Sequence, residues 1–157
     1  MNIPDNFQVI DHALIHHKLG LIRDKNTGSK EFRELVTEAT MLLAYEATKD
    51  LPLNDEEVQT PITTAQVKTV AVADIVLVPI LRAGLGMVEG MLKLIPNARV
   101  GCVGMERDHE THQPVDYYFK IPNQARKRTF IVLDPMLATG GTIIATVDRL
   151  KDLGADS

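Results

Sequence analysis

Between Ser29 and about Lys49, apolar residues recur at three- and four-residue steps: Phe32, Leu35, Val36, Ala39, Leu42, Leu43 and Ala47. That period predicts an amphipathic helix, with Ser29 placed to cap it. Leu51 to Val70 mixes two prolines, several acids and a threonine-rich run, and reads as a loop with room for one short strand. Three compact apolar runs follow, IVLVPIL (75–81), RVGCVGM (99–105) and TFIVLDP (129–135). Each is short and β-branched, and none alternates cleanly, which predicts strands covered on both faces. LGMVEGMLKL, between the first two, has a short helical pattern closed by Pro96. GGTIIATVDRLKDLGA, after the third, predicts a helix with Ile144, Val147, Leu150 and Leu153 as its apolar positions, stopped by Gly154. The alternation of strands and helices predicts an α/β domain built on a mainly parallel sheet flanked by helices. Such sheets bind ligands beyond the carboxyl ends of their strands, where the glycine-rich turns of this chain fall.

Composition narrows the picture. The 157 residues suit one globular domain. Aromatics are only 4% and Trp is absent, so the core must be aliphatic. A net charge of −4 argues against a sequence-independent grip on nucleic acid, but leaves room for a locally positive pocket and a small anion. The lone Cys102 excludes an internal disulfide and, inside RVGCVGM, reads as a buried, inert thiol in a reducing compartment. The start, MNIPDNFQVID, lacks the pattern of a signal peptide, and no apolar run approaches the roughly 20 residues needed to cross a bilayer. The expectation is a cytoplasmic protein with neither membrane nor nucleic acid as partner.

LDPMLATGGT carries the most chemistry. A buried strand ends at Leu133, Asp134 stands at its carboxyl end, and a turn of small residues enters a helix near Thr142. Gly140 and Gly141 permit unusual backbone geometry and close approach of a ligand. The unpaired amides of a first helical turn favour an anion, and Thr139 and Thr142 add hydroxyl donors suited to a monophosphate. No lysine is present where a Walker loop would have one. The plainer reading makes Gly140 and Gly141 a tight turn and Thr142 a cap. In VPILRAGLGMVEG, Arg82 follows a strand directly and Gly84 and Gly86 open a helix; a guanidinium at that edge can clamp an anion with two parallel hydrogen bonds, the plainer reading being a solvated arginine in a turn. Arg107 follows the next strand, ahead of the polar stretch DHETHQPVDYYFKIP. His12 with His16, and His109 with His112, have helical spacing, but no acid or thiol completes a ligand set around either pair. Glu46 and Asp50 read as a solvated helix face.

The strand-acid-ATGGT-helix arrangement resembles the signature of type I phosphoribosyltransferases. Asp134-Pro135, in place of two adjacent acids, is similar to the uracil-specific branch, and IHHKLGLIRDKNTGSKEF resembles that family's opening segment. The resemblance implies a type I phosphoribosyltransferase-like fold and the joining of uracil to 5-phosphoribosyl diphosphate, giving uridine monophosphate and diphosphate in pyrimidine salvage. It implies that Asp134 holds the ribose hydroxyls. Pro135, Met136 and Leu137 would lead into Ala138, Thr139, Gly140, Gly141 and Thr142, which wrap the 5′-phosphate. Arg82 and Arg107 would neutralise the diphosphate, with Asp134 and Arg107 nearest the chemistry. The stretch after Arg107 would be an arm over the site, with a plain surface hairpin as the other reading. Mg²⁺ would be held through the substrate, with no direct protein ligand. The family also implies a homodimer or larger homo-oligomer and, in some relatives, a guanosine triphosphate (GTP) effector.

The family continues past the helix after Thr142 into a further strand and a Gly-, Pro- and Asp-rich uracil loop, whereas the sequence ends KDLGADS. The expectation is therefore one domain over 1–157, C-terminally truncated, with the uracil contacts unassigned. The competing expectation is a shortened, catalytically inactive module that binds the donor or regulates.

Overall fold

The computed structural model describes residues 7–107, 114–123 and 125–155, with backbone alone at Ala73, Glu106, Arg107 and 114–116. Helices α1 (Ala13–Arg23) and α2 (Ser29–Ala47) precede strands β1 (Leu53–Gln59), β2 (Thr64–Val70) and β3 (Ile75–Leu81). Then come α3 (Leu85–Leu94), β4 (Arg99–Val100), β5 (Cys102–Arg107), β6 (Pro114–Lys120), β7 (Thr129–Leu133) and α4 (Gly141–Asp152).

β3 is the centre of the main sheet. It pairs in parallel with β4 and β5, and also with β7, while β6 runs antiparallel beside β5. Leu77 pairs with both Val100 and Ile131, so β4 and β7 flank β3 on opposite edges. Alternate β3 side chains serve different layers. Ile75 and Leu77 join Leu133, Ala44, Met91, Ile95 and Ala98, beneath α2 and α3. Val76 and Val78 join Val103, with Met105, Phe119, Phe130 and Val132 packed around them. α4 lies on this second face, where Thr146 meets Met105 and the Arg149 guanidinium stands 5.5 Å from the Phe119 ring centre. Val76, Leu77 and Val78 are 0% exposed, which explains the uninterrupted apolar run. Each such side chain contributes about 1.5–3 kcal/mol by leaving water.

Several expectations change. Gly28, in extended backbone, is the N-cap of α2, and Ser29 is its first helical residue with no side-chain cap bond. Leu51–Val70 is mostly an antiparallel hairpin of β1 and β2, in register from Leu53 with Val70 to Gln59 with Thr64. Its first strand, LNDEEVQ, is polar on both exposed faces, so no alternation marks it. Thr60 closes its turn, accepting from the Thr63 amide through its hydroxyl and donating its own amide to the Thr63 carbonyl, each at 3.0 Å. RVGCVGM is split into β4 and β5 at Gly101, whose amide donates to the Leu77 carbonyl at 2.8 Å. Cys102 is partly exposed: it alternates with the fully buried Val103 and so points to the other face of β5, at the start of the strand. In α4 the inward stripe is Thr146 and Leu150, with Ile143 and Val147 half-buried; Ile144 and Leu153 are 60% and 47% exposed. Leu150 and Val147 thus lie inward as predicted, and the stripe differs in taking Ile143 and Thr146 in place of Ile144 and Leu153.

The α2–α3 contact depends on small residues that hydrophobic periodicity does not pick out. Thr37 and Thr40 of α2 are buried against Gly90 of α3. The predicted stripe members Phe32, Leu43 and Ala47 are exposed. Among the described residues β7 pairs only with β3. Beside it lies a groove of about 660 Å³, formed with the carboxyl half of α4 and lined by Phe130, Val132, Val147 and Leu150, with Arg126, Lys127, Arg128 and Lys151. No helix among the described residues is long and apolar enough to cross a membrane.

A Cβ at Gly90 would lie 2.5 Å from the Thr37 carbonyl oxygen and 2.8 Å from the Thr40 Cβ. Backbone cannot yield as a side-chain tip does, so Gly90→Ala should destabilise by about 1–2 kcal/mol, overpacking outweighing the helix preference for alanine. Gly20 in α1 has nothing within 4 Å of its added Cβ, so Gly20→Ala should stabilise by about 0.5–1 kcal/mol. Urea unfolding of both variants tests the contrast; a Gly90→Ala as stable as Gly20→Ala would mean that α2 and α3 are not closely apposed.

Candidate functional site

Because β3, β5 and β7 are parallel, their carboxyl ends emerge along one edge of the sheet. Leu133 pairs with Pro79, and Leu81 with Gly104. Asp134 therefore leaves β7 one residue above that pair, and Arg82 leaves the neighbouring strand about two residues higher, roughly 7 Å along the strand. The Leu81–Arg82 peptide is cis. Arg82 is exposed and makes no ion pair among the described residues.

Gly84 holds the two turns together. Its amide donates to the Ile80 carbonyl at 2.8 Å. A Cβ on Gly84 would overlap the Leu133 carbonyl oxygen, and would lie 2.7 and 2.8 Å from the Ile80 nitrogen and oxygen. The Arg82–Gly84 turn therefore folds down onto the ends of both strands, against the residue that precedes Asp134. Bonds from Leu85 to Arg82, Gly86 to Ala83 and Met87 to Gly84, all 3.1–3.2 Å, then wind the chain into α3. The sequence suggests only that Gly84 opens a helix; this packing role depends on a strand 49 residues away in Leu133 and has no local signal.

Asp134 is half-buried, and its Oδ1 accepts the Met136 amide at 3.2 Å. The carboxylate is thus partly committed to its own loop, as acids are in tight turns. Met136, Leu137, Ala138 and Thr139 are exposed, with Met136 at 73% and Leu137 at 59%. Gly140 has φ 78° and ψ −8°, a left-handed conformation that only glycine adopts without strain, and it is the N-cap of α4. No side chain caps this end. The first helical bond is from the Ile144 amide to the Gly140 carbonyl, 2.9 Å, so the amides of Gly141, Thr142 and Ile143 have no helical acceptor. Asp134 and residues 136–143 line a recess of about 80 Å³. Its size and donors match a small anion such as a phosphate. The larger groove beside β7 lies at the amino end of that strand, away from this turn, and includes none of the predicted site residues.

The structure thus brings Arg82, Asp134 and the 136–142 turn to one edge. Pro135 belongs to the turn but does not line the recess. Arg107 is the last residue of β5, paired in the ladder with Pro114, which places its backbone at the same edge. In the predicted arm β5 and β6 pair antiparallel; residues 108–113, with His109 and His112, lie outside the described residues, as does the Arg107 side chain. His12 accepts the Leu14 amide at the start of α1, and His16 pairs with Asp11 at 2.8 Å. Among the described residues no group of histidines, cysteines and acids could hold a metal ion.

A sequence profile described as uracil phosphoribosyltransferase matches residues 9–157. The chain is similar to the uracil phosphoribosyltransferase of Desulfitobacterium hafniense, 60% identical over 149 residues that cover 95% of this chain and 71% of that protein. It is 56% identical to that of Bacillus caldolyticus, with the same coverage. Among solved structures, the AQ2163 protein of Aquifex aeolicus superposes with a TM-score of 0.86 at 38% identity, over 93% of this chain and 70% of that one. A purine phosphoribosyltransferase from Pyrococcus horikoshii shares the fold alone, with a TM-score of 0.54 at 14% identity over 78% of this chain and 67% of that one. With the family signature spread over nearly all its length and the fold of the type I enzymes beneath it, the chain belongs to the uracil phosphoribosyltransferase family.

Proposed function

We propose that this chain carries the phosphoribosyl-diphosphate site of a uracil phosphoribosyltransferase, which transfers the 5-phosphoribosyl group to uracil and releases uridine monophosphate and diphosphate. The observation that carries the reading is the apposition of Gly84 to the Leu133 carbonyl, which stacks the Arg82 turn against the Asp134 turn. A single ligand spanning both turns needs an anion at each end and hydroxyls between, and the donor has that form. Its 5′-phosphate would sit in the recess on the amides of Gly141, Thr142 and Ile143, with the Thr139 and Thr142 hydroxyls beside it. Asp134 would accept from the ribose hydroxyls, keeping its Oδ1 bond to the Met136 amide. Arg82 would take the diphosphate, where a guanidinium meets two oxygens at once. Arg107 would approach the same group from β5.

As the C1′–diphosphate bond lengthens, positive charge grows on the sugar and negative charge on the leaving group. The task of the protein is then to fix geometry and to stabilise both charges, with no covalent intermediate on the enzyme. Mg²⁺ would arrive with the donor, held by diphosphate and ribose oxygens and by water, with Asp134 as the neighbouring hard carboxylate; it would neutralise charge on the leaving group.

Calorimetric titration of the full chain with 5-phosphoribosyl diphosphate and Mg²⁺ tests the site directly, and binding is expected. Loss of a charged hydrogen-bonding group removes about 1.5–3 kcal/mol, so Asp134→Ala and Arg82→Ala should each weaken the donor by about 10- to 100-fold. Wild-type affinity in both variants would remove the assignment.

Arg82→Ala should also flatten the dependence of affinity on salt, whereas Asp134→Ala should not. Gly140→Ala should weaken donor binding and cost about 1–2 kcal/mol of stability, because alanine must adopt the left-handed backbone. An unchanged urea midpoint would show that the turn relaxes. Formation of uridine monophosphate from uracil and the donor tests the transfer step itself.

A further inference from the structure

One buried hydroxyl in α4 has no part in the scheme above. Thr146 is 0% exposed and sits one helical turn beyond Thr142. Its Oγ1 donates to the Thr142 carbonyl at 2.8 Å and stands 3.7 Å from Met105 Sδ. Thr142 belongs to the turn that lines the recess. Met105 lies on β5, at the register shift between Gly104 and Met105, two residues before Arg107. Thr146 is therefore in contact both with the phosphate turn and with the strand that ends in the second arginine.

Apolar packing alone does not call for a hydroxyl here. Valine has nearly the shape of threonine, and the neighbouring cluster is formed by Val76, Val78 and Val103 with Met105 and Phe119. A threonine hydroxyl bonded to the carbonyl four residues back draws that carbonyl toward itself and bends the helix locally. In α4 the carbonyl so bonded is that of Thr142, in the first turn, whose peptide unit carries the Ile143 amide. The sulfur is a weak acceptor, so the proton belongs to the Thr142 carbonyl, and Met105 is a packing neighbour of the hydroxyl.

We infer that Thr146 is a positioning residue for the phosphoribosyl donor: its hydroxyl aims the first turn of α4 into the recess and seats that turn against β5. The inference rests on the donor site proposed above. Thr146→Val removes the hydroxyl and keeps the volume, while Thr146→Ser keeps the hydroxyl and loses a methyl group. The full-length variants would be titrated with 5-phosphoribosyl diphosphate plus Mg²⁺, with ribose 5-phosphate, and with inorganic diphosphate. The melting temperature and the amide chemical shifts of residues 141–143 would be recorded without ligand.

The expected result is that Thr146→Val weakens the donor and ribose 5-phosphate alike, by about 3- to 10-fold, and leaves diphosphate unchanged. The 141–143 amides should shift in that variant, and Thr146→Ser should restore wild-type affinities. Wild-type affinities in Thr146→Val, or unmoved 141–143 amides, would overturn the inference. So would a Thr146→Ser as weak as Thr146→Val, which would make the methyl group the important part, or an equal loss for diphosphate, which would indicate general loosening. If the wild-type chain itself binds none of the three ligands, the donor site fails; the amide shifts still decide whether Thr146 orients the turn.

Discussion

β3 has no solvent on either face and a parallel neighbour on each edge, and the site depends on that arrangement. Parallel pairing sends the carboxyl ends of β3, β5 and β7 out along one edge, so the turns that follow them must meet there. Burial on both faces forces helices onto both sides: α2 and α3 cover Ile75 and Leu77, and α4 covers the side of Val76 and Val78. The same constraint explains why β-branched residues crowd into IVLVPIL, since no position in the strand can be polar without burying an unpaired group.

At the ligand edge the design combines fixed and adaptable parts. Gly84 against the Leu133 carbonyl is backbone on backbone, with no side chain to yield, so the distance between the two turns is set by the sheet. Gly140, in its left-handed conformation, fixes where α4 begins. Between these fixed points, residues 136–139 project into solvent with three exposed apolar side chains. Ordering that segment around a ligand costs conformational entropy, which the unpartnered amides of α4 and the charges of Arg82 and Asp134 must offset.

How far the site could be read beforehand varied with the range of the interaction. Asp134, the small-residue turn and its glycines form one continuous stretch, so their chemistry was legible, as was Arg82 immediately after an evident strand. The contact of Gly84 with Leu133 and that of Thr146 with Met105 join residues far apart in the chain, and no local pattern announces them. The β1–β2 hairpin was hidden for another reason: LNDEEVQ is exposed on both faces, so burial imposes no alternation on it. On α4 the apolar period marks Val147 and Leu150 correctly but misses Thr146, a polar residue of the inward stripe, and includes Ile144, which points to solvent. The α2–α3 interface shows the same blind spot, since Thr37, Thr40 and Gly90 pack by being small.

The sequence by itself determined the buried strands β3 and β7, the parallel α/β class and the glycine turn between β7 and α4, because burial period and glycine geometry act within a few residues. It also carried the family likeness over nearly all of its length. Tertiary structure alone decided that Thr37, Thr40 and Thr146 join the inward faces of α2 and α4, how close the Arg82 and Asp134 turns approach, and that a threonine in α4 touches the strand ending in Arg107. Those outcomes depend on contacts whose partners lie tens of residues apart, and whether they form is settled by how the layers pack.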